Sequence, residues 1–311
     1  MMRIWKALFL IFALFFQLNC GRPIDSEKEI PSTTALSFGT ESTLDILTWN
    51  LEWFPKSNQT VSRVSEIIYS LQADIVALQE IVSLSALNQI VEQLNQYDDN
   101  NNWLAYFSGE ANGSWQELAY IINTNAINIP QEPYQIYQND GTAFPRSPFV
   151  IHLTTNGKEW IIINNHLKCC GDGTLESDTW DEENRRQQAS FLLESYIEEN
   201  WNTERVIIVG DYNDEIQETE SNNVFWNFIS QPELYKFADM EIANGHSSGY
   251  SYPTWPSHLD HILISNELFD AFDASESKIS VIKIDDYLDG GWNEYDTYIS
   301  DHRPVGISLA F

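Results

Sequence analysis

Short apolar runs punctuate the chain, and most of them end on a cluster of polar residues. Leu44–Leu47, Ile75–Leu78, Trp160–Ile163 and Val206–Val209 are nearly continuous in apolar residues, the pattern of strands covered on both faces. Between the first two, Val61, Val64, Ile68 and Leu71 recur at helical spacing and predict a helix over 61–71, and Leu84–Leu94 predicts a second. The stretch from Trp103 to Asn165 reads as strands, with Leu118–Ile122, Phe149–Leu153 and Trp160–Asn164 the clearest. An acidic helix is predicted over Asp181–Glu199, opened by Thr179-x-x-Glu182 in the manner of a capping box. Strands at His261–Ser265, Ile279–Ile284 and Val305–Leu309 close the chain. Mixed strands with intervening helices predict an α/β protein, two sheets packed face to face with helices outside.

Six polar signatures fall at or near the ends of these runs. They are Thr48-Trp49-Asn50-Leu51-Glu52, Gln79-Glu80, Asn164-Asn165-His166-Leu167-Lys168, Gly210-Asp211-Tyr212-Asn213, Leu259-Asp260-His261 and Ser300-Asp301-His302. Strand ends that converge on one sheet edge gather such carboxylates, amides and imidazoles into one cleft. That chemistry suits a divalent metal and a phosphate ester.

Length sets the frame. With 311 residues, 43% of them hydrophobic, no internal repeat and signatures spread along the chain, residues 44–311 are expected to form one domain. The formal net charge of −30 is the reverse of a basic nucleic-acid binder, so metal-free binding of DNA should be weak. At the N-terminus Arg3 and Lys6 precede an apolar stretch, Ala7–Phe16, too short to span a bilayer comfortably. Residues 1–20 read as a signal peptide of lipoprotein type, Cys20 resembling the acylated cysteine, and 21–43 as a flexible tether. The expected location is therefore exported and lipid-anchored to a bacterial envelope membrane, or secreted. Cys169 and Cys170 are too few for a disulfide framework and wrongly spaced for zinc; a local structural role is expected.

Each signature can be given a role. Asn50, Glu80 and Asp301 offer hard oxygen ligands suited to Mg²⁺ or Ca²⁺. Asp211 can hold or deprotonate a water, and Asn213 can donate to a phosphoryl oxygen as charge builds there. His166 and His302 can share proton transfer and phosphate contact, with Asp260 orienting one of them. Arg146 and Lys168 are candidate phosphate clamps. His152, His246, His258 and His261 lack such context, and Arg185 and Arg186 read as helix-surface pairs.

Ala73-Asp74-Ile75-Val76-Ala77-Leu78-Gln79-Glu80, Arg146-Ser147-Pro148-Phe149-Val150, Gly210-Asp211-Tyr212-Asn213 and Ser300-Asp301-His302-Arg303-Pro304-Val305 together resemble the endonuclease/exonuclease/phosphatase superfamily, nearest to its deoxyribonuclease I branch, over roughly residues 44–311. The resemblance implies a four-layer α/β/β/α sandwich and Mg²⁺ near Glu80, with Ca²⁺ or Mn²⁺ as alternates. It implies metal positions at Asn50, Glu80 and Asp301, and catalytic positions at His166, Asp211, Asn213, Asp260 and His302. Arg146 falls on the substrate-phosphate arginine, while Gln116 and Glu117 compete for the partner of His166. The Cys169-Cys170-Gly171-Asp172-Gly173 loop departs from the deoxyribonuclease pattern, and substrate contacts depend on such loops. The expectation is a metal-dependent endonuclease acting on DNA. A sphingomyelinase, an inositol-phosphate phosphatase and a non-catalytic binding member are the alternatives.

Overall fold

The computed structural model describes residues 36–311, apart from 99, 101, 110–114 and 126. The signal peptide, Cys20 and most of the tether lie outside the described residues. In chain order the main elements are β1 (Thr43–Phe54), α1 (Thr60–Leu71), β2 (Ile75–Ile81), α2 (Leu84–Tyr97), β3 (Trp103–Phe107), β4 (Glu117–Asn123), β5 (Tyr134–Gln135) and β6 (Phe149–Thr155). There follow β7 (Lys158–His166), α3 (Glu182–Asn200), β8 (Val206–Asp211), β9 (Tyr235–Phe237), β10 (Asp260–Ser265), β11 (Lys278–Val281), the helix Gly291–Tyr298 and β12 (Val305–Ala310). The strands form two six-stranded sheets, ordered β11-β12-β1-β2-β4-β3 and β5-β6-β7-β8-β10-β9.

Three buried clusters explain the stacking. Ile46, Ile75, Tyr120 and Ile307 of the first sheet meet Ile151, Ile162, Ile207 and Ile262 of the second. The opposite face of the first sheet, through Trp49, Val76 and Leu78, is covered by Val64 and Ile68 of α1 and Leu87 and Ile90 of α2. On the second sheet Ile161, Ile163 and Ile208 are covered by Ala189, Leu193 and Ile197 of α3. Each central strand thus buries both faces, which is why its sequence is continuously apolar rather than alternating. Helices, sheet, sheet and helices make the expected four layers.

Three local expectations need correction. The tether was expected to run to residue 43, yet Leu36 and Phe38 are buried in the first outer core, and Phe38 and Gly39 donate to the Leu71 carbonyl at 3.1 and 2.8 Å. Two apolar side chains within reach of a hydrophobic surface bury rather than stay solvated. Helix α3 is capped by Asp181, whose side chain accepts from the Asn184 amide at 2.8 Å, and not by Thr179. Strand β8 runs past its apolar run Val206–Val209 and carries Asp211 inside the ladder, whereas Asn50 lies within β1 as expected.

Candidate active site

Register places the site. In the second sheet β7 and β8 run parallel with His166 opposite Asp211, and β8 and β10 run antiparallel with Asp211 opposite Asp260. Three adjacent strands therefore deliver an imidazole and two carboxylates at one level. Gly210 makes this row close: a Cβ there would fall 2.0 Å from the Asn165 carbonyl oxygen, so β7 and β8 approach as no larger residue allows. In the first sheet β1 and β2 run parallel with Asn50 opposite Gln79, which brings Asn50 and Glu80 to the same edge.

A polar plug fixes the two sheets against each other just beneath. Gln79 donates to Asn164 Oδ1 at 2.7 Å and to Thr48 Oγ1 at 3.0 Å. Asn164 in turn donates to the carbonyls of Leu78 and Ala119 at 3.0 and 3.1 Å. All of these side chains are fully buried. Buried amides held this way tolerate no sliding of one sheet on the other.

The site proper spans both sheets. Asn50 donates to Asp211 Oδ2 at 2.8 Å and to Glu80 Oε1 at 3.3 Å. His166 Nε2 lies 3.6 Å from Asp211 Oδ2 and 3.9 Å from Glu80 Oε1. His302 Nε2 lies 3.9 Å from the same Asp211 oxygen, while its Nδ1 is 2.7 Å from Asp260 Oδ2. Asp301 reaches within 4.0 Å of His302 Nε2. Bidentate pairing of Arg303 with Asp285, at 2.8 and 2.6 Å, anchors the segment that carries both. Asn213 sits in the left-handed region at φ 54°, its backbone amide on Asp211 Oδ1 at 2.9 Å, and its side chain on the Leu167 carbonyl at 3.3 Å.

The two histidines differ in protonation. Burial, with help from the charges of Arg146 and His302, holds His166 well below the usual imidazole value. It is neutral near pH 7. Its Nδ1 is buried without a partner, whereas Nε2 faces two carboxylates, so the proton belongs on Nε2. Burial would lower His302 too, but the negative charges of Asp260 and Asp211 overcome it and push the ring up to about 10. Asp211 itself is raised to about 7 by burial and by the charges of Asp260 and Glu80, against the opposing pull of His302 and Asn50.

Carboxylates crowd this edge. Burial first, and then the charge of Glu80, raises Asp301; burial and the charge of Asp301 raise Glu52 despite its ion pair with Lys56. Such an excess of hard oxygen with raised proton affinity fits a divalent cation. Glu52 was not among the residues singled out, although it stands in the first signature. Asn50, expected as an oxygen ligand, has its Oδ1 accepting from the Glu52 amide at 2.9 Å, while its NH₂ steadies Asp211. The reason is a bulge in β1 between Asn50 and Phe54, which turns Glu52 N–H back onto the amide oxygen. The compact group of ligand-type atoms here is Asp211, Asp260 and His302, but Asp260 and His302 already satisfy each other.

Other assignments shift as well. Arg146 feels the charges of Glu80 and Asp211 and is bonded to Gln116, so Gln116 serves the arginine and not His166. Glu117 accepts from Ser108 at 3.3 Å. Lys168 donates to the Cys169 carbonyl at 2.8 Å and lies 3.6 Å from Glu182. Cys169 and Cys170 are both free. Arg186 is no surface pair: it is buried, donates to Asp214 at 2.8 Å and to the Lys168 and Cys170 carbonyls at 2.8 and 2.7 Å, and so ties the loops after β7 and β8 to α3. A second buried network lies behind Asp260. His261 Nδ1 is 2.6 Å from Asp239 Oδ2 and its Nε2 is 3.0 Å from the Asp214 carbonyl. Both nitrogens face acceptors, so the ring is a cation. His258 Nε2 stands 3.0 Å from Asp239, outside good hydrogen-bond alignment, and its Nδ1 accepts from Ser251 N–H at 3.3 Å. No sequence signal pointed to Asp239, because nothing local marks it as paired.

Solved structures share this architecture. A zebrafish (D. rerio) TDP2 complexed with single-strand DNA product aligns over 87% of this chain and 100% of its own, at 16% identity and a TM-score of 0.63. The human Nocturnin catalytic domain with a bound sulfate aligns over 86% of this chain and 94% of its own, at 18% identity and 0.58. A family protein from Bacteroides thetaiotaomicron aligns over 87% and 98%, at 16% and 0.57. No curated protein matches the sequence. Members of the family to which these structures belong are hydrolases, generally dependent on a divalent metal. The sequence profile of that family covers residues 47–302, and the chain belongs to the Endonuclease/Exonuclease/phosphatase family.

Proposed function

We propose that this protein is an exported, lipid-anchored phosphodiesterase that uses Mg²⁺ to hydrolyse DNA. The observation that carries the catalytic part is the pair of histidines, one neutral and one cationic, on either side of Asp211. Groups whose environments push their proton affinities apart are a working acid–base set. Asp211, poised near neutrality, accepts the proton of the attacking water. The water oxygen bonds phosphorus in line as the bond to the leaving oxygen breaks. His302, protonated and held by Asp260, donates Nε2–H to the departing oxygen, while His166 Nε2–H and Asn213 contact the non-bridging oxygens. Glu80 and Asp301, with Glu52 beside them, would hold the cation, which when bound neutralises charge on the phosphoryl group.

DNA is favoured because Arg146 faces the carboxylate edge and because one structural neighbour is complexed with single-strand DNA product. With a net charge of −30, binding should rely on cations bridging protein and phosphate. Plasmid and single-stranded DNA, sphingomyelin vesicles and an inositol polyphosphate, assayed side by side with Mg²⁺, test the substrate. Nicking with little base preference is expected. Hydrolysis of a lipid or inositol phosphate with both plasmid and single-stranded DNA intact contradicts it. Cys20 is the proposed acylation site; among the described residues no helix is long and apolar enough to cross a membrane. Cys20→Ser should leave the membrane fraction, or remain unprocessed, at unchanged specific activity. Equal membrane retention would refute acylation.

A further inference from the structure

Two tryptophans stand at the mouth of the cleft where apolar side chains have no packing reason to be. Trp53 is 49% exposed and Trp115 is 61% exposed, yet their rings meet edge to face at 6.0 Å between centroids. An edge-to-face pair leaves an indole face open to solvent. Trp53 follows directly from the bulge in β1. Glu52 and Trp53 both adopt left-handed backbone, at φ 41° and 52°, a conformation that strains a large side chain. The same bulge sends the Trp53 amide to Glu80 Oε2 at 3.0 Å. The backbone that orients the carboxylate therefore also aims the indole outward beside it.

Trp115 approaches from the other side. It precedes Gln116, which is buried and bonded to Arg146, the arginine facing Glu80 and Asp211. The tryptophan pair is thus tied to Glu80 through the Trp53 amide and to Arg146 through Gln116, the residue after Trp115. Any group attached to a phosphodiester on this side meets an aromatic face and few cations.

Resting on the nuclease reading above, we propose that Trp53 and Trp115 form a stacking platform for an unpaired nucleobase beside the scissile phosphate, which makes single-stranded nucleic acid the preferred substrate. A base stacked within a duplex offers no free face, whereas an unpaired one does, whatever its identity. Stacking also supplies, without positive charge, the affinity that so acidic a chain cannot draw from phosphate clamps.

The test uses the full chain with Mg²⁺ and a single-stranded oligonucleotide, the same strand annealed to its complement, and a version with a tetrahydrofuran abasic residue at the cleaved phosphate. Trp53→Ala and Trp115→Ala should each lower kcat/KM on the single strand by about 10- to 100-fold, mainly through KM. The abasic residue should cost the wild type a similar factor and cost the variants little more, because platform and base act as one interaction. Trp53→Phe should retain most of the activity. Independent, multiplying losses, or duplex cleaved as readily as single strand, would overturn the platform while leaving the nuclease reading intact. A wild-type protein that leaves every oligonucleotide whole, yet hydrolyses sphingomyelin vesicles, removes both.

Discussion

His302 places Nδ1 2.7 Å from Asp260 Oδ2, and both side chains are buried. The carboxylate thereby fixes the ring tautomer and sustains its positive charge, the same work an aspartate does behind a catalytic histidine elsewhere. Asp260→Asn should lower kcat by about 100- to 10,000-fold with the fold intact. Its pH profile is the sharper readout. The active imidazolium is lost as pH rises through about 10, so removing the Asp260 charge should move the alkaline limb of kcat/KM to lower pH. An alkaline limb that stays in place would mean that His302 does not act as a cation.

Glu80 faces His166 and Asn50 and takes the Trp53 amide at 3.0 Å. Glu80→Ala should raise the Mg²⁺ concentration needed for half-maximal activity at least about tenfold, with partial rescue at high Mg²⁺. Activity equal to wild type at low metal would remove Glu80 from the metal site.

The buried pair of Asp239 and His261 makes a stability prediction with a definite sign. Burial opposes both charges, yet the pair interaction dominates: His261 holds Asp239 below the usual carboxylate range, and Asp239 holds His261 above the usual imidazole value. The Asp239 contribution is present above its unfolded value, ~3.9, and is lost as pH falls through the folded one; the His261 contribution is complete below ~6.5 and is lost as pH rises through its folded value. Asp239→Asn should therefore cost about 3–5 kcal/mol near pH 6, and less at strongly alkaline pH. Urea melts at both pH values check this, and an equal loss at both would contradict the charged pair.

Beneath the cleft, Asn164 satisfies the Leu78 and Ala119 carbonyls and the Gln79 amide at once. Asn164→Leu removes the donor to both buried carbonyls and one acceptor of the Gln79 amide, and should destabilise the protein by about 2–5 kcal/mol. A urea midpoint unchanged from wild type would show that the two sheets do not depend on the plug.

Much of this site was legible because its residues follow apolar strands whose ends must meet. Asp211, His166 and Asp260 needed only the strand pattern and cross-strand register to come together. The layers were legible for the same reason: continuous apolar strands require cover on both faces. What stayed hidden depends on distant partners. Arg186 reads as a helix-surface residue until α3 lays it against the Asp214 loop. Asp239 gains meaning only from His261, 22 positions away. Asn50 was legible as a site residue, but its bond from the Glu52 amide was not, because the bulge that turns that amide onto it comes after it in the chain.

Hydrolysis of bis-p-nitrophenyl phosphate by the purified protein, titrated with Mg²⁺, tests the central claim without presuming a natural substrate. The account predicts turnover that requires the metal, is abolished by chelator, and falls about 100-fold or more in both His166→Ala and His302→Ala while their urea midpoints confirm folding. No hydrolysis by wild type at saturating Mg²⁺, or near-normal turnover in either histidine variant, would contradict it.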